Sequence, residues 1–268
     1  MIQQVTVAID AAFADQKPLD HCLLVGPPGL GKSQLANILA REMATELHEV
    51  LGQSIQTAAD LNCILLAAEE RTFVHIDECH ELKREHQTAL YLAIDQKKIL
   101  LQTALAGKSL QPIPIADFTL LLSTTDEFCL LQPLRDRMKL VLRFDFYSVE
   151  ELILMLMQRA HALGWKAAEE ELFAYIAQRS RGVPRLGLRL LQSCRRVCRA
   201  LGDTTITVDH LARACSLEQI DALGLGITER KYLNFLAEGV SRLNVLASMI
   251  GLPLARRRMG QSQRCISV

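Results

Sequence analysis

The chain has no excess of either charge. Its 268 residues include 30 lysines and arginines and 30 aspartates and glutamates, so the formal net charge at pH 7 is +0. A protein with this balance has no general attraction to polyanions, because its opposite charges cancel at long range. Any contact with nucleic acid must therefore come from local basic patches.

Long apolar runs and a signal segment are also missing. No uninterrupted hydrophobic stretch reaches the length that spans a bilayer, and the first residues lack the basic-then-apolar pattern of a signal peptide. We therefore expect a cytoplasmic protein with no membrane partner. Hydrophobic residues make up 50% of a chain that is longer than a usual single domain, so we expect two or three units with real cores.

The eight cysteines lack the paired C-x-x-C spacing of common zinc sites. Cys194 and Cys198 stand one helical turn apart, which would suit a metal or a redox pair. No second pair accompanies them, and several of the other cysteines fall in apolar segments. We interpret the cysteines as ordinary buried thiols of a reducing compartment.

The sequence does contain a complete phosphate-binding loop, GPPGLGKS, at residues 26–33. An apolar run at 22–25 precedes it and a helix-forming run at 34–40 follows, which is the strand–loop–helix context that such a site requires. The glycines allow backbone N–H groups to surround a polyphosphate at a helix N-terminus. A Gly- and Pro-rich turn that fits by chance is the alternative, and the context argues against it. The predicted nucleotide contacts of this loop are Gly26, Pro27, Pro28, Gly29, Leu30, Gly31, Lys32 and Ser33.

Two side chains of the loop and two carboxylates downstream have predicted chemical roles. Lys32 would reach the β- and γ-phosphates, and the Ser33 hydroxyl would ligate Mg²⁺. The β-rich run at 72–76 ends at Asp77 and Glu78. Asp77 would hold the magnesium shell, and Glu78 would polarise the attacking water as a general base. An acidic strand end that caps the next helix is the alternative, and the phosphate-binding loop upstream favours the catalytic interpretation.

Strands and helices alternate in the first part of the chain, which is typical of βαβ units. The predicted elements are an opening helix with the apolar stripe Val5, Ile9 and Phe13, a strand at 22–25, helices at 32–43 and 57–70, a strand at 73–76, a helix at 85–94, a hairpin within 98–115, and strands at 118–122 and 140–146.

The alternation stops near residue 147, which predicts a domain boundary there. Only helices follow, near 148–163, 168–179, 184–200 and 207–219. The predicted domains are a large α/β domain at 1–146, a helical domain at 147–220 and a third, small segment at 221–268.

Several stretches of the sequence match one known family in order and in spacing. They are Leu19–His21 with the loop that follows, Asp77–Leu82, Phe118–Thr125, Pro133–Arg137 and Arg181–Arg185. These stretches resemble the RuvB family, the AAA+ ATPases that drive branch migration of Holliday junctions. The resemblance runs from about residue 2 to residue 250. It implies an α/β fold, with a P-loop AAA+ three-layer domain built on a parallel sheet, then a helical lid and a partial winged helix.

The resemblance also implies roles for single residues. Thr125 would be the first sensor, close to the γ-phosphate and its attacking water. Arg137 would be the arginine finger that projects into a neighbouring subunit's nucleotide and stabilises charge on the transferring phosphoryl group. Arg185 would be the second sensor, which couples nucleotide state to the lid angle. Taken singly, these arginines are ordinary surface charges. Residues matching other nucleotide contacts of the family are Gly29, Gln34 and Tyr147.

The function implied by the resemblance is a DNA motor powered by Mg-ATP. ATP would be hydrolysed at the subunit interfaces of a homohexameric ring that moves along duplex DNA at a Holliday junction. A junction-binding partner of the RuvA type would dock on a hairpin before the first sensor, and residues 98–115 are the candidates for it. The alternatives are a nucleotide-binding AAA+ scaffold or regulatory subunit without motor activity, and a clamp-loader-like ATPase.

The basic residues outside these motifs allow two interpretations. The arginines between 179 and 199 would face DNA or a neighbouring subunit, or would form a solvated helix face. Residues 243–252 have the apolar spacing and Gly turn of a helix-turn-helix, with which the family's winged-helix domain begins. The arginines at 256–258 stand where a recognition helix is expected. They would bind phosphates nonspecifically or belong to a disordered end.

Two further departures lead us to expect reduced activity. Asp126 stands where the family usually has an arginine after its first-sensor threonines, which reverses a charge beside the nucleotide site. The family segment that encloses the adenine precedes the motif at which this sequence begins. We therefore expect a winged helix and a base pocket that are both truncated.

Overall fold

The computed structural model describes residues 1–102, 110–239 and 242–251, and it divides the chain into two compact units, Met1–Tyr147 and Ser148–Val268. In the first unit the elements are α1 (Ile2–Asp15), β1 (Cys22–Val25), α2 (Lys32–Glu42), β2 (Leu47–Leu51), α3 (Ala58–Ala67), β3 (Phe73–Asp77), α4 (Arg84–Gln96), β4 (Lys98–Gln102), β5 (Leu110–Pro114), β6 (Thr119–Thr124), α5 (Gln132–Arg135) and β7 (Leu140–Arg143).

A parallel sheet of five strands forms the centre of this unit, in the order β2-β3-β6-β1-β7. Its middle strands are continuous apolar runs with fully buried side chains, such as Leu120–Leu122, as expected for parallel strands covered on both faces. Because all five strands are parallel, the carboxyl ends of β3, β6 and β1 meet at one edge, with β6 in the middle. That edge carries the loop at 26–33 and the acidic pair that follows β3.

Pairing partners decide where the outer strands begin and end. β2, which the sequence pattern does not predict, is a half-exposed edge strand whose short run LHEVL alternates too weakly to be recognised. β7 ends at Arg143 rather than at Phe146, because its partner β1 turns away after Val25. The predicted hairpin is confirmed in β4 and β5, which pair antiparallel with Ile99 opposite Ile113. The connecting residues 103–109 lie outside the described residues.

A histidine is among the polar side chains buried inside the sheet. His75, in the run predicted as a buried strand, is fully enclosed between its neighbours on β2 and β6. Its Nε2 lies 2.7 Å from Ser123 Oγ, and its Nδ1 lies 3.2 Å from Glu49 Oε1. Burial is the main cause that lowers the pKa of this imidazole.

The second unit is mainly helical. In chain order it contains α6 (Val149–Ala162), β8 (Lys166–Ala167), α7 (Glu171–Arg179), α8 (Pro184–Ala200), β9 (Thr205–Ile206), α9 (Val208–Glu218), α10 (Ile227–Ala237) and α11 (Leu243–Ile250). The first four helices agree with the sequence pattern, and reciprocal capping boxes start α6 at Ser148 and α9 at Thr207.

The start of α10 contacts the segments that follow α7 and α9. Arg181 Nη2 lies 3.3 Å from Glu229 Oε1, and Arg230 Nη2 donates to the carbonyl of Gln219 at 2.9 Å. A boundary at residue 220 stays a prediction. α11 covers most of the predicted helix-turn-helix stretch, whereas residues 252–268, with the arginines at 256–258, lie outside the described residues.

Replacing Gly26 by alanine should destabilise the first unit. A Cβ at Gly26 would lie 2.6 Å from the carbonyl oxygen of Phe144, closer than real Cβ contacts, and the φ of 157° adds strain. We expect Gly26→Ala to lower the free energy of opening of β1 by roughly 1–3 kcal/mol, measured by amide hydrogen exchange. Gly164→Ala is the control, since Gly164 has a φ of 65° but no atom within 4 Å of its Cβ. For each variant the free energy of local opening is measured in the element next to the substitution, β1 for Gly26→Ala and α6 for Gly164→Ala. A smaller loss of this free energy for Gly26→Ala than for Gly164→Ala would contradict the packing argument.

The capping box at Ser148 predicts a specific loss of stability in the second unit. Ser148 Oγ accepts from Glu151 N at 3.2 Å, and Ser148 N donates to Glu151 Oε2 at 2.8 Å. We expect Ser148→Ala to reduce the free energy of unfolding by about 0.5–2 kcal/mol. The single tryptophan, Trp165, reports on this unit by its fluorescence during urea unfolding. Ser216→Ala, at an exposed position within α9, should leave the unfolding midpoint within experimental error.

Candidate nucleotide-binding site

The loop at 26–33 turns sharply because of its glycines. Gly26 packs against the backbone of Phe144, and its N–H donates to the carbonyl of Thr124 at 3.2 Å, which ties the loop to the end of β6. Gly31 is the N-cap of α2 with a φ of 100°, a conformation that L side chains rarely adopt. The loop therefore leads directly into a helix N-terminus, where backbone N–H groups and the helix dipole favour an anion.

Lys32 lies across this loop. It is buried, with 6% of its surface exposed, and its Nζ donates to the carbonyls of Gly26 at 2.8 Å and Pro27 at 3.0 Å. A buried ammonium held by the loop backbone is placed to contact phosphate oxygens that enter the loop.

The remaining predicted contacts differ in what they can offer to a nucleotide. Leu30 is buried, and its carbonyl accepts a hydrogen bond from the Tyr147 hydroxyl at 3.3 Å, so the structure brings Tyr147 to the loop. Pro28 lies exposed on the loop, and Gln34 is exposed in the first turn of α2. Leu30 can therefore offer only its backbone to a polar ligand, whereas the side chain of Gln34 is accessible to one.

Ser33 and Asp77 meet at the edge of the sheet although 44 residues separate them. The Ser33 hydroxyl donates to Asp77 Oδ2 at 3.0 Å, and Asp77 Oδ1 accepts from the Glu78 backbone N–H at 3.0 Å. A hydroxyl and a carboxylate are the hard oxygen donors that Mg²⁺ takes from proteins, usually one or two at a time beside phosphate oxygens. This pair therefore fits a magnesium ion at the predicted place.

His80, two positions after Glu78, has no predicted role in the sequence analysis. Glu78 has a left-handed backbone, with a φ of 51°, and its Oε2 lies 3.3 Å from His80 Nδ1. The same nitrogen lies 3.2 Å from Thr124 Oγ1. His80 thus connects the acidic pair to the end of β6. The available signal was a histidine two positions after the acidic pair, but its contact with Thr124 depends on the fold.

The two threonines at the end of β6 differ in environment. Thr124 is fully buried, and its Oγ1 accepts from the Asp126 backbone N–H at 2.9 Å. Thr125 is exposed and follows the last residue of β6, at the same sheet edge as Asp77 and the phosphate-binding loop. The role of Thr125 as first sensor stays a prediction.

Asp126 uses its carboxylate to cap the 3₁₀ turn Glu127–Cys129. Its Oδ1 accepts from the Phe128 backbone N–H at 3.1 Å, and its Oδ2 accepts from Cys129 Sγ at 3.1 Å. The negative charge that differs from the family pattern therefore has local partners.

The two arginines with predicted roles lie in different units. Arg137 follows α5 in the first unit, and its guanidinium packs against α4. Arg185 is exposed in the first turn of α8 in the second unit. Its role as second sensor stays a prediction.

The described residues, which omit 103–109, 240–241 and 252–268, contain no cluster of three or more His, Cys, Asp or Glu side chains that could hold a metal. Cys194 and Cys198 are both buried, and burial raises the pKa of Cys194 to about 12. These two cysteines are therefore ordinary buried thiols, whereas Cys63 and Cys129 are exposed. None of the described helices is both long and apolar enough to cross a bilayer.

Family models match both units. Residues 1–144 match the model described as the Holliday junction DNA helicase RuvB P-loop domain, and residues 147–221 match the RuvB AAA lid domain. A curated relative, the Holliday junction branch migration complex subunit RuvB of Rubrobacter xylanophilus, is 37% identical over 238 residues. That alignment covers 88% of this chain and 66% of the relative, so the chain spans just under two thirds of the relative's length.

Solved structures give the same result. The Thermotoga maritima RuvB Holliday junction branch migration motor is 32% identical with a TM-score of 0.82, over 94% of this chain and 80% of that one. A mutant of the same Thermotoga protein is 33% identical with a TM-score of 0.84, over 94% of this chain and 81% of that one. With its parallel sheet, its phosphate-binding loop and its helical lid, the chain belongs to the RuvB family of P-loop AAA+ proteins.

Proposed function

We propose that this protein is a cytoplasmic ATPase and DNA motor of the RuvB type, which drives branch migration of Holliday junctions in recombination and repair. The observation that carries the proposal is the contact between Ser33 and Asp77 beside the buried Lys32. Lys32 and Ser33 begin α2, whereas Asp77 ends β3, which is distant in sequence. Together these groups form the half of an ATP site that one subunit supplies. Family membership supports the DNA-related part of the proposal.

The first task of the site is to bind the triphosphate. Backbone N–H groups of the loop at 26–33 and the Lys32 ammonium would hold the phosphates, while Gln34 and Tyr147 would contact the nucleotide at the sides of the loop. Ser33 and Asp77 would hold Mg²⁺, which when bound neutralises charge on the β- and γ-phosphates. The hydroxyl and the carboxylate are already 3.0 Å apart, so little rearrangement is needed.

The second task is to activate water. The Glu78 carboxylate would accept a proton from the water that attacks the γ-phosphorus, while the bond from that phosphorus to the bridging oxygen breaks and ADP leaves. Glu78 Oε2 lies 3.3 Å from His80 Nδ1, and the same nitrogen lies 3.2 Å from Thr124 Oγ1 at the end of β6. Thr125 would position the same water as the first sensor.

The third task needs a second subunit. Arg137 would enter the neighbouring subunit's site as the arginine finger, so hydrolysis would require a ring, which we propose is a homohexamer. Arg185 would act as the second sensor and couple hydrolysis to rotation of the lid and movement along duplex DNA. The hairpin of β4 and β5 is the proposed docking element for a junction-binding partner of the RuvA type.

The environment of Asp126 argues against a scaffold without motor activity. The charge reversal at this position was a reason to consider such a scaffold. The carboxylate, however, caps a 3₁₀ turn through the Phe128 N–H and Cys129, so its charge is partly compensated by local donors. The sequence also contains the acidic pair Asp77–Glu78 and Arg137, which the proposed hydrolytic site needs.

Two substitutions test the proposed function by ATP turnover with and without duplex DNA. Glu78→Gln should bind ATP normally and lose turnover by about 10²–10⁴-fold, because it removes the general base. Arg137→Ala should lose turnover by about 10³–10⁵-fold, because it removes transition-state charge stabilisation.

Lys139→Ala provides the matched control. Lys139 is an exposed cation two positions after Arg137, and it pairs with Asp20 at 2.8 Å. Its turnover should stay within about twofold of wild type, as expected for loss of a surface ion pair. Turnover in Arg137→Ala equal to that of wild type would refute the finger, and absence of DNA stimulation in the wild type would refute the motor.

A further inference from the structure

Arg137 is held by α4 of its own chain. Its Nε donates to Asp95 Oδ1 at 2.7 Å and its Nη2 donates to Asp95 Oδ2, so the carboxylate binds the side edge of the guanidinium with both oxygens. Its Nη1 donates to the carbonyl of Pro133, one turn earlier in the chain. A bidentate pair of this kind fixes direction as well as distance.

Arg137 also contacts an aromatic ring, which restricts the tilt of the guanidinium plane. The guanidinium carbon of Arg137 lies 4.9 Å from the centroid of the Tyr91 ring, within cation–π range. Tyr91 and Asp95 are four residues apart on α4 and therefore share one face of the helix. One face of α4 thus supplies both the edge contact and the stacking contact of the guanidinium.

The pair between Arg137 and Asp95 lies partly exposed at the surface. The side chain of Arg137 is 29% exposed and that of Asp95 is 41% exposed. The hydrogen bond from Arg137 is the first cause that lowers the pKa of Asp95, and the same bond raises the pKa of Arg137, so both groups stay charged. Single-contact ion pairs at a surface contribute little to the stability of a fold, whereas a bidentate pair adds geometric specificity as well as energy. Orientation of Arg137 is therefore an effect of this pair beyond stability.

Two donors of the guanidinium are left for a ligand. A guanidinium has five N–H groups in one plane, and the contacts with Asp95 and Pro133 use three of them among the described residues. Because the group is planar, holding its side edge and one face determines where the other two N–H groups point. A long side chain that would otherwise sample many rotamers is therefore set in one orientation before a ligand arrives.

We propose that Asp95 and Tyr91 are positioning residues for Arg137, which set its guanidinium so that the two remaining N–H groups meet the terminal phosphate of a nucleotide bound by an adjacent copy. The inference rests on the proposed function, since it takes Arg137 as the group that acts in trans. It adds that the orientation of this group is built into its own subunit and does not arise only on contact with the neighbour.

Mixed assemblies can test this role separately from the catalytic role. Glu78→Gln subunits lack the general base but keep Arg137, whereas Arg137→Ala subunits keep the base but lack the finger. Turnover in a mixture should therefore arise where an Arg137→Ala subunit receives the finger of a Glu78→Gln subunit. Adding Asp95→Asn to the Glu78→Gln subunits changes only the finger that is supplied.

We expect the Asp95→Asn addition to lower the kcat of the mixture by about 10- to 100-fold, the effect of a small misplacement of a catalytic group. The KM for ATP should stay within about twofold, because the nucleotide is bound by the unchanged Arg137→Ala subunit. Asp95→Glu, which keeps a bidentate carboxylate, should recover most of the kcat. Tyr91→Leu, which removes the stacking contact, should lower the kcat in the same way as Asp95→Asn.

Asp117→Asn in the Glu78→Gln subunits is the matched control. Asp117 is an exposed carboxylate that pairs with Lys97 at 2.9 Å, just beyond the end of α4, and it does not contact Arg137 in the described structure. This change should leave the kcat as it is. If the unmodified mixture has no turnover, the trans role of Arg137 fails and the proposed function is wrong. If the mixture turns over and Asp95→Asn has no more effect than Asp117→Asn, only the positioning role is wrong.

Discussion

The hydrogen bond between Ser33 and Asp77 depends on the strand order of the sheet. β1 delivers the phosphate-binding loop and β3 delivers the acidic pair, and β6 lies between them in parallel register. On the side of β1, Gly26 N donates to the carbonyl of Thr124 at the end of β6. On the side of β3, His80 contacts the hydroxyl of the same threonine. A single buried strand end therefore sets the distance between the group that holds phosphate and the groups that act on it.

Features with local causes could be predicted from the sequence. The phosphate-binding loop lies where strand, glycines and helix follow one another, and the buried strands β3 and β6 are apolar runs of strand length. The first four helices of the second unit were also predicted to within a few residues. Their buried faces repeat with helical spacing, and capping boxes begin α6 and α9. The edge strand β2 was missed, since its pairing with β3 rather than its own pattern defines it.

Features that depend on contacts between distant residues could not be predicted in this way. Arg137 is recognised from its place after Pro133, but nothing near it in sequence indicates that Asp95 binds it from 42 positions away. His80 stands beside the acidic pair, yet its partner Thr124 is 44 positions distant. For Asp126 a comparison of charge suggested a disturbed site, whereas the geometry gives a cap for the next turn. For Arg137 and His80 a tertiary contact, which one sequence does not contain, decides what the side chain does, whereas the cap by Asp126 is local.

The open sheet has two borders, β2 and β7, and they are short, with five and four residues. A border strand exposes unpaired backbone donors and acceptors, and a long, flat one invites a foreign strand to add to it. Strands of this length give such an intruder few ladder bonds. The borders of this sheet therefore offer little template for the addition of a strand from another chain.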